Sequence, residues 1–326
     1  MTSKLQAQLI VFILLMALVP VTKGEAPTEN QDTLRVLVWN VWRGTNKVKN
    51  GPEKALKLIK DSKADICLLQ ESYDVDGPRP QFGIWAAKQL GWNAWQGDSP
   101  HLCVISPFKF GKRYFHKPWH ALGVELVDPK GRPLHTFSMW IDYKSPIANH
   151  LMNNPEASDA ELLASETSRS GRLAQSKEIL AYLGKHELTS LKTPLLVGGD
   201  WNCPSHLDWT EATAERFPYR RHMPELPVSR LMERAGFSDA YRVIHPDPVK
   251  YPGDTWSPLF RERDGKALPM DRIDRLYCKS NRQTSRLRPI RATVYPEVLE
   301  KNEVPTLERQ FPSDHAALLI EFQWQN

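Results

Sequence analysis

Leu195-Leu-Val-Gly-Gly-Asp-Trp-Asn202 is the most informative stretch of this 326-residue chain. Residues 195–199 form an apolar run that is short enough to be a fully buried strand. Asp200 and Asn202 follow where this run stops. Polar side chains at a strand end are typical of a site at the edge of a sheet, although an isolated Asp-Trp-Asn can also form an Asx turn. The rest of the chain must decide between these two interpretations.

The same arrangement, a polar side chain next to an apolar run, recurs along the chain. The further examples are Asn40 after residues 34–39, Glu71 after residues 64–70, Asp274 within the run 272–277, and Asp314 and His315 before the run 318–324. Because strand ends of a central sheet can meet at one edge, we expect these groups to converge in one cleft. Taken alone, each of these polar residues is also consistent with a turn, a strand exit or a helix cap. Their joint occurrence favours a functional site.

Strands and helices alternate over most of the chain. We predict strands at 34–39, 64–70, 102–106, 123–127, 134–141, 195–199, 273–278, 290–295 and 318–324, and helices at 52–63, 84–90, 157–185 and 230–235. Residues 203–227, which contain Pro, charges and Trp209, are predicted to be a surface excursion. This mixture indicates one α/β or α+β domain over residues 34–326.

The composition places the chain among ordinary globular proteins, with 41% hydrophobic and 25% charged residues. The net charge of +5 suits an anionic substrate, but many proteins that bind no anion have such a charge. The four Cys match no zinc spacing. We expect most of them to be free buried thiols, with one disulfide left open.

The N-terminus has the three parts of a secretory signal peptide. Lys4 precedes the apolar run 9–19, and Thr22 and Gly24 are small residues before a cleavage point at Glu25. The run is shorter than the ~20 residues of a spanning helix, which disfavours an uncleaved anchor. We therefore predict a signal peptide at 1–24, a polar lead at 25–33, no stable membrane insertion after cleavage, and a secreted or periplasmic protein.

Five motifs in order resemble those of the endonuclease/exonuclease/phosphatase superfamily, which includes DNase-I-like nucleases. They are Val38-Trp-Asn40, Leu68-Leu-Gln-Glu71, Gly199-Asp-Trp-Asn202, Arg272-Ile-Asp274 and Ser313-Asp-His315. The resemblance implies a four-layer sandwich, in which two packed mixed β-sheets are flanked by helices. It also implies a divalent-metal-dependent hydrolase of phosphate esters that uses Mg²⁺ or Mn²⁺.

The resemblance also assigns roles to the strand-end residues. Glu71 and Asp314 correspond to metal contacts, and oxygen ligands suit a hard dication. Asp200 orients or deprotonates the attacking water. The remaining catalytic candidates are Asn202 and His315, which donate to the phosphate, Asp274, which fixes the His315 tautomer, and Asn40, which holds the metal or the carboxylates.

One position departs from the family pattern. Many members carry His-Leu-Asp on the strand at 134–141, whereas this chain has Trp140, Ile141 and Asp142. An indole can donate a hydrogen bond but cannot transfer a proton, so the leaving-group side of the reaction must differ. Trp140 and Asp142 remain candidates for substrate binding. Arg43 and Trp256 are also candidates for substrate binding. The alternative for Arg43 is a solvated surface position, and the alternative for Trp256 is packing in the core.

Three functions are consistent with this sequence. A phosphodiesterase acting on DNA or RNA is the first choice, because it fits export and a basic charge. A lipid or inositol-type enzyme resembling a sphingomyelinase is the alternative, and predicts exposed apolar loops around Trp201 and Trp209. A non-catalytic binding module on the same fold is the third. The oligomeric state is not specified by the sequence.

Overall fold

The computed structural model describes residues 32–73, 81–190, 192–280, 286–296 and 310–325. The predicted signal peptide and nearly all of the predicted lead lie outside these residues. Residues Asp32–Asn326 form one compact unit. Among the described residues, no helix is both long and apolar enough to cross a membrane.

Two six-stranded sheets form the centre of the protein. The strands are β1 (Thr33–Asn40), β2 (Ile66–Gln70), β3 (Asn93–Trp95), β4 (Cys103–Ser106), β5 (Lys109–Lys117), β6 (Ala121–Val127), β7 (Pro133–Trp140), β8 (Leu195–Asp200), β9 (Ser238–Asp239), β10 (Glu262–Arg263), β11 (Lys266–Ala267), β12 (Asp274–Lys279), β13 (Arg286–Tyr295) and β14 (Ala317–Gln325). The first sheet has the order β13-β14-β1-β2-β4-β3, and the second has the order β5-β6-β7-β8-β12-β9. Strands β10 and β11 form a separate ribbon.

Both sheets are mixed. In each one, a single parallel pair, β1 with β2 and β7 with β8, lies among antiparallel neighbours. The helices are α1 (Gly51–Asp61), α2 (Phe82–Leu90), α3 (Ile147–Asn153), α4 (Asp159–Leu163), α5 (Arg172–Lys185), α6 (Glu211–Arg216), α7 (Pro227–Arg234) and α8 (Ala240–Ile244).

The alternation of strand side chains builds the layers. On β1, Val36 and Val38 join the core between the two sheets, whereas Leu37 and Trp39 join a second core beneath helices α1 and α2. Successive side chains of a strand point to opposite faces, so one strand contributes to both layers. Helices α5 and α7 cover the outer face of the second sheet in the same way. The predicted sandwich of two mixed sheets flanked by helices is confirmed.

Gly198 sets how closely the two sheets approach each other on the strand that leads to Asp200. A Cβ atom at Gly198 would lie 2.7 Å from Val38, 2.8 Å from Leu68 and 2.9 Å from Leu276. Real Cβ atoms do not approach other heavy atoms this closely, so a side chain here would force the sheets apart. The glycine therefore brings the ends of β1, β2 and β8 together.

The prediction of one helix over residues 157–185 is wrong. The chain forms α4 and α5, with an irregular segment between them. Arg172 is fully buried at the start of α5 and donates to the carbonyls of Lys144 and Ser165. Helix propensity favours a continuous helix, but these tertiary hydrogen bonds are satisfied only when the helix is interrupted.

The prediction of a surface excursion at 203–227 is also wrong for its middle. Trp209 is fully buried in a core with Leu226 and Ile147, and its indole donates to Asp271 over 3.1 Å. All four Cys are free and buried, as expected for most of them. Strand β5 was not predicted, because its many charged residues hide the alternation of a half-exposed edge strand.

Candidate active site

Four strand ends meet at one edge of the sandwich. Asn40 pairs with Gln70 at the ends of β1 and β2, and Trp140 pairs with Asp200 at the ends of β7 and β8. Asp274 opens β12 directly opposite Asp200. The two parallel pairs, one in each sheet, therefore place their polar terminal residues around the same space.

Asn40 connects the two sheets at this edge. Its buried side-chain amide donates to Asp200 Oδ2 over 3.0 Å and to Glu71 Oε1 over 3.2 Å. The side-chain oxygen Oδ1 of Asn40 accepts from the backbone N–H of Trp42 over 3.0 Å. One neutral side chain thus holds a carboxylate of each sheet in place, without adding charge.

His315 and Asp274 form a buried hydrogen-bonded pair. Nδ1 of His315 lies 2.8 Å from Asp274 Oδ2, so Nδ1–H is the donor and Nε2 is directed elsewhere. Nε2 lies 3.9 Å from Asp200 and 4.0 Å from Asp314. Burial alone would lower the pKa of His315, but the carboxylates of Asp274 and Asp200 outweigh it and hold the pKa well above its ordinary value. These carboxylates therefore favour the imidazolium form of His315.

The carboxylates around this imidazolium exceed it in number. Burial raises the pKa of Asp200 to about 7, although His315 opposes the shift. Burial likewise raises the pKa of Asp314 to about 6, and the nearby charge of Glu71 adds to the shift. Like charges held together out of water favour protonation, or the arrival of a compensating cation.

The residues present fit a hard divalent cation. Asp314 Oδ1 is buried and has no hydrogen-bond partner among the described residues. Glu71 lies on the same cleft, and among the residues that the structure describes each of its oxygens accepts a single bond of 3.2 Å, from Asn40 and from the backbone N–H of Arg43. Carboxylate oxygens with free lone pairs are the ligands that Mg²⁺ prefers. Glu71 and Asp314 would therefore hold the metal ion.

Backbone strain is concentrated at this edge. Four residues other than glycine have positive φ here, namely Trp42 at 42°, Arg43 at 52°, Glu71 at 53° and Asn202 at 50°. Asn tolerates this region, but for the other three it costs roughly 1–2 kcal/mol each. Such strain persists where the surrounding structure fixes the backbone, and it clusters at functional sites.

A cleft of about 750 Å³ opens above the acidic cluster. Aromatic side chains form much of its wall, namely Trp42, Tyr73, Trp119, Trp140, Tyr143 and Trp256. Trp119 is 46% exposed and Tyr143 is 62% exposed, so both present ring faces to solvent. The cleft therefore combines a charged floor with an aromatic rim.

His101 is a site residue that the sequence analysis missed. Its Nδ1 accepts from the backbone N–H of Glu71 over 3.4 Å, and its Nε2 lies 3.2 Å from the carbonyl of Trp119. Burial lowers the pKa of His101 to about 4, so the ring is neutral and Nε2–H donates. Its ring packs against Tyr73 and Trp119, with centroids 5.5 Å and 4.8 Å away. His101 thus links Glu71 to the rim.

The structure brings together ten of the eleven predicted site residues. Eight line the cleft, and these are Arg43, Glu71, Trp140, Asp200, Asn202, Trp256, Asp314 and His315. Asn40 and Asp274 lie directly behind them, in contact with Asp200 and His315.

Asp142 is the exception, since it is not among the residues that line the cleft. Its two oxygens accept from the backbone N–H groups of Lys144 and Gly171, over 3.0 and 2.9 Å. These bonds anchor the chain that leads into α5. The structure therefore does not bring Asp142 to the substrate.

A paired imidazole, an acidic pocket that fits a hard cation and a two-sheet sandwich together define a metal-dependent phosphoric ester hydrolase. The sequence carries the corresponding family signature, since residues 37–315 match the model of the Endonuclease/Exonuclease/phosphatase family. The chain belongs to this family and is an enzyme of its metal-dependent phosphoesterase type. The alternative of a non-catalytic binding module is therefore not supported.

Individual proteins are similar to this chain in sequence or in fold. The chain is 27% identical to the uncharacterized protein F14F9.5 of Caenorhabditis elegans, covering 89% of this chain and 91% of that protein. Its fold matches D. rerio TDP2 complexed with a single-strand DNA product, at 14% identity and a TM-score of 0.53, covering 89% and 99% of the two chains. It also matches the human Nocturnin catalytic domain with bound sulfate, at 17% identity and a TM-score of 0.50, covering 91% and 97%.

Proposed function

We propose that this enzyme is an exported nuclease that hydrolyses phosphodiester bonds of DNA or RNA with Mg²⁺ or Mn²⁺, and that it prefers single strands. The observation that carries the proposal is the aromatic rim, which shares one cleft with the acidic cluster. The D. rerio TDP2 structure, which contains single-strand DNA, supports the same substrate class. Export rests on the signal-like sequence of residues 1–24.

The rim suits unpaired bases. Stacking of a base on an aromatic side chain contributes about 1–3 kcal/mol and tolerates any sequence, because every base has a π-face. Trp119 and Tyr143 expose such faces beside the acidic cluster. In a duplex the bases are already stacked and paired, so only a single strand can use these faces without first melting.

Two arginines of the cleft are placed to contact the phosphate groups of a bound strand. Arg43 and Arg263 both line the cleft, and the exposed Arg43 lies next to the metal-binding Glu71 through its backbone N–H. A guanidinium presents paired donors that match phosphate oxygens. These two side chains would position the strand while the aromatic rim holds its bases.

Asp200 would activate the attacking water. Its Oδ2 accepts from Asn40 and its Oδ1 accepts from the backbone N–H of Asn202 over 2.8 Å, and both bonds favour the ionised carboxylate. A carboxylate with a pKa near neutrality, once ionised, is a competent general base. A cation bound at Glu71 and Asp314 would neutralise charge on the phosphoryl oxygens and favour this ionised form.

His315 would stabilise the negative charge that develops on the phosphate. Its Nε2, which lies 3.4 Å from the side-chain nitrogen of Asn40, would donate to the phosphate, because Nδ1–H is already bonded to Asp274. Trp140, which replaces the family histidine, has an indole N–H that is buried and without an acceptor among the described residues. It can donate a hydrogen bond to the substrate, so the proton for the leaving oxygen would come from His315 or from water.

The exposed apolar loop that the lipid alternative predicts around Trp201 and Trp209 is not found there. Trp201 and Trp209, expected to form an exposed apolar loop, are both fully buried. Exposed large apolar side chains lie elsewhere, and Trp119, Tyr143 and Phe260 are among them. A sphingomyelinase-like activity therefore has no support beyond the rim that also suits nucleic acid.

A substrate screen tests the proposal. The mature chain would be assayed with Mg²⁺ against single-stranded DNA, duplex DNA of the same sequence, RNA, sphingomyelin vesicles and inositol phosphates. We expect single strands to be cleaved at least about tenfold faster than duplex, which corresponds to the lower range of base stacking. Headgroup release from sphingomyelin without cleavage of any nucleic acid would overturn the proposal. The Asp200→Asn variant controls for contaminating nucleases.

A further inference from the structure

A second group of metal-ligating side chains lies outside the active-site cleft. His116 is near the end of β5, His120 directly precedes β6, and Glu178 lies on α5. Ligand atoms of the three residues lie within 4.8 Å of one another. Nε2 of His116 and Nδ1 of His120 are each 4.0 Å from the same oxygen of Glu178.

The two imidazoles lack partners at these nitrogens. His116 Nε2 and His120 Nδ1 are buried and make no hydrogen bond within the described part of the chain. A separation of 4.0 Å from Glu178 is too long for a hydrogen bond. Buried polar atoms are nearly always paired with protein, water or an ion, so two unpaired nitrogens facing one carboxylate call for an explanation.

Burial and Lys117 favour the neutral form of both rings, although the carboxylate of Glu178 opposes this shift. Burial lowers the pKa of His116 and of His120, and the positive charge of Lys117 adds to both shifts. A neutral imidazole carries a lone pair, which is the form that binds a metal ion. Lys117 itself donates to the Glu178 oxygen over 2.6 Å, so an ammonium group now takes the place of a cation at this carboxylate.

We propose that His116, His120 and Glu178 form a binding site for a transition-metal dication such as Zn²⁺, separate from the catalytic metal site. Two imidazole nitrogens and one carboxylate suit Zn²⁺, whereas Mg²⁺ prefers a set made only of oxygens. Ligand atoms of tetrahedral zinc lie roughly 3.4 Å apart. Side-chain rotations therefore need to close the two 4.0 Å gaps to Glu178 by about 0.6 Å, and the gap between the two imidazole nitrogens, which is at most 4.8 Å, by up to about 1.4 Å. Water would fill the fourth position, and Lys117 would move away.

A metal ion bound at this site would affect the substrate cleft through the turn between β5 and β6. It would connect α5 to the turn between β5 and β6, and this turn carries Trp119 to the rim. The carbonyl of His120 already accepts from the backbone N–H of Trp140 over 3.0 Å. A bound ion would therefore fix the position of Trp119 relative to Trp140, whatever substrate the cleft takes.

Cobalt titration tests the site directly, because four-coordinate Co²⁺ absorbs visible light and reports the ligand set. The full chain would be titrated with Co²⁺, and with Zn²⁺ in competition, in excess Mg²⁺. We expect one Co²⁺ with an intense visible band per chain, displaced by Zn²⁺. The band should disappear in His120→Ala and persist in Glu71→Gln, which disables only the catalytic metal site.

Matched variants separate this site from adventitious binding. His222 is an exposed imidazole 3.6 Å from a single carboxylate, that of Glu211, so His222→Ala should leave the band unchanged. Glu178→Gln, on an exposed helix position, should weaken binding at least tenfold without affecting folding. Lys117→Met should tighten binding several-fold, because the competing ammonium is gone.

Three results would overturn the proposal. The first is the absence of a four-coordinate band in the wild-type chain. The second is a band that survives in both His120→Ala and Glu178→Gln. The third is a band that disappears in Glu71→Gln, which would assign the ion to the catalytic cleft. Unchanged or weaker binding in Lys117→Met would contradict the competition between the ammonium group and the metal ion.

Discussion

Two buried clusters of charged side chains differ in their balance of charge. In the first, Asp208 and Asp239 face Arg242 and Arg272, so two carboxylates meet two guanidinium groups. The second is the active site, where Glu71, Asp200, Asp274 and Asp314 surround the single imidazole of His315. The first cluster is neutral by itself, whereas the second is not.

Their protonation behaviour differs accordingly. Burial alone would raise the pKa of Asp208, but Arg272 and Arg242 outweigh it and lower the pKa to about 2. At the active site no guanidinium of the described residues is paired with Asp200 in this way, and burial raises the pKa of Asp200 to about 7. A buried cluster in which each carboxylate has a cationic partner is a structural element. A buried cluster with more carboxylates than cationic groups is a site that can bind a cation.

The largest expected effect is on catalysis. Asp200→Asn keeps the shape of the side chain but removes the proposed general base, so we expect hydrolysis to fall by about 10²–10⁴-fold. Because the cluster has excess negative charge, the melting temperature should stay the same or rise. Activity assays and thermal unfolding of one preparation measure both effects. A marked loss of stability would mean that Asp200 is a structural residue like Asp208.

The next effect is on stability. Arg272 is fully buried and donates to Asp208 over 2.9 Å and to Asp239 over 2.7 Å. Arg272→Met would leave two buried carboxylates short of a partner, at a cost of about 3–5 kcal/mol in the free energy of unfolding. Urea unfolding measures the loss. An exposed pair provides the control, since Arg234→Met, which breaks the contact with Glu225, should change stability by under about 1 kcal/mol.

The pH dependence of stability should have opposite signs in the two clusters. The pKa values of Asp200, about 7, and Asp314, about 6, lie above the ordinary 3.8. The folded protein therefore retains protons that the unfolded chain has lost, and this contribution to stability falls as pH rises from about 4 to 7. Asp208, with its lowered pKa, stabilises above about pH 4 and loses this contribution as pH falls towards 2.

A dication should reverse the first of these trends, because it binds the ionised carboxylates. We expect Mg²⁺ to raise the melting temperature more at pH 8 than at pH 5. Calorimetry with and without Mg²⁺ measures the difference, and Asp314→Asn should reduce it. An effect of Mg²⁺ that does not vary with pH would show that these carboxylates are not involved in metal binding.

The smallest effect concerns the rim. Trp119→Ala removes one exposed stacking face, and we expect KM for a single-stranded oligonucleotide to rise by about 5–150-fold, the equivalent of 1–3 kcal/mol. kcat should change much less, because Trp119 does not touch the acidic cluster. Steady-state kinetics separate the two constants. Tyr251→Ala, which removes an aromatic ring away from the cleft, serves as the control.

The sequence predicted the parts of the site that follow from local pattern. Asn40 and Asp200 each end an apolar strand and Glu71 directly follows one, and the sheet register brings such strand ends together. Asp142 was assigned from the resemblance to the family's His-Leu-Asp motif, but it lies beyond the end of β7, and backbone N–H groups of Lys144 and Gly171 hold its side chain away from the cleft.

Other features depend on contacts between distant parts of the chain. His101 reaches the site only because β4 pairs with β2, and Trp119 because the turn after β5 lies beside it. The interruption between α4 and α5 depends on carbonyls that Arg172 meets in the folded protein. No local periodicity carries this information, so sequence patterns alone cannot supply it.

Dependence of hydrolysis on metal ion tests the central claim most directly. The rate of cleavage of a single-stranded oligonucleotide would be measured over a Mg²⁺ titration for the wild-type chain and for Glu71→Gln. We predict no cleavage in excess chelator, recovery when Mg²⁺ is added, and a large increase in the Mg²⁺ concentration that Glu71→Gln requires. Cleavage that persists in chelator, or the same Mg²⁺ dependence in both proteins, would contradict the account.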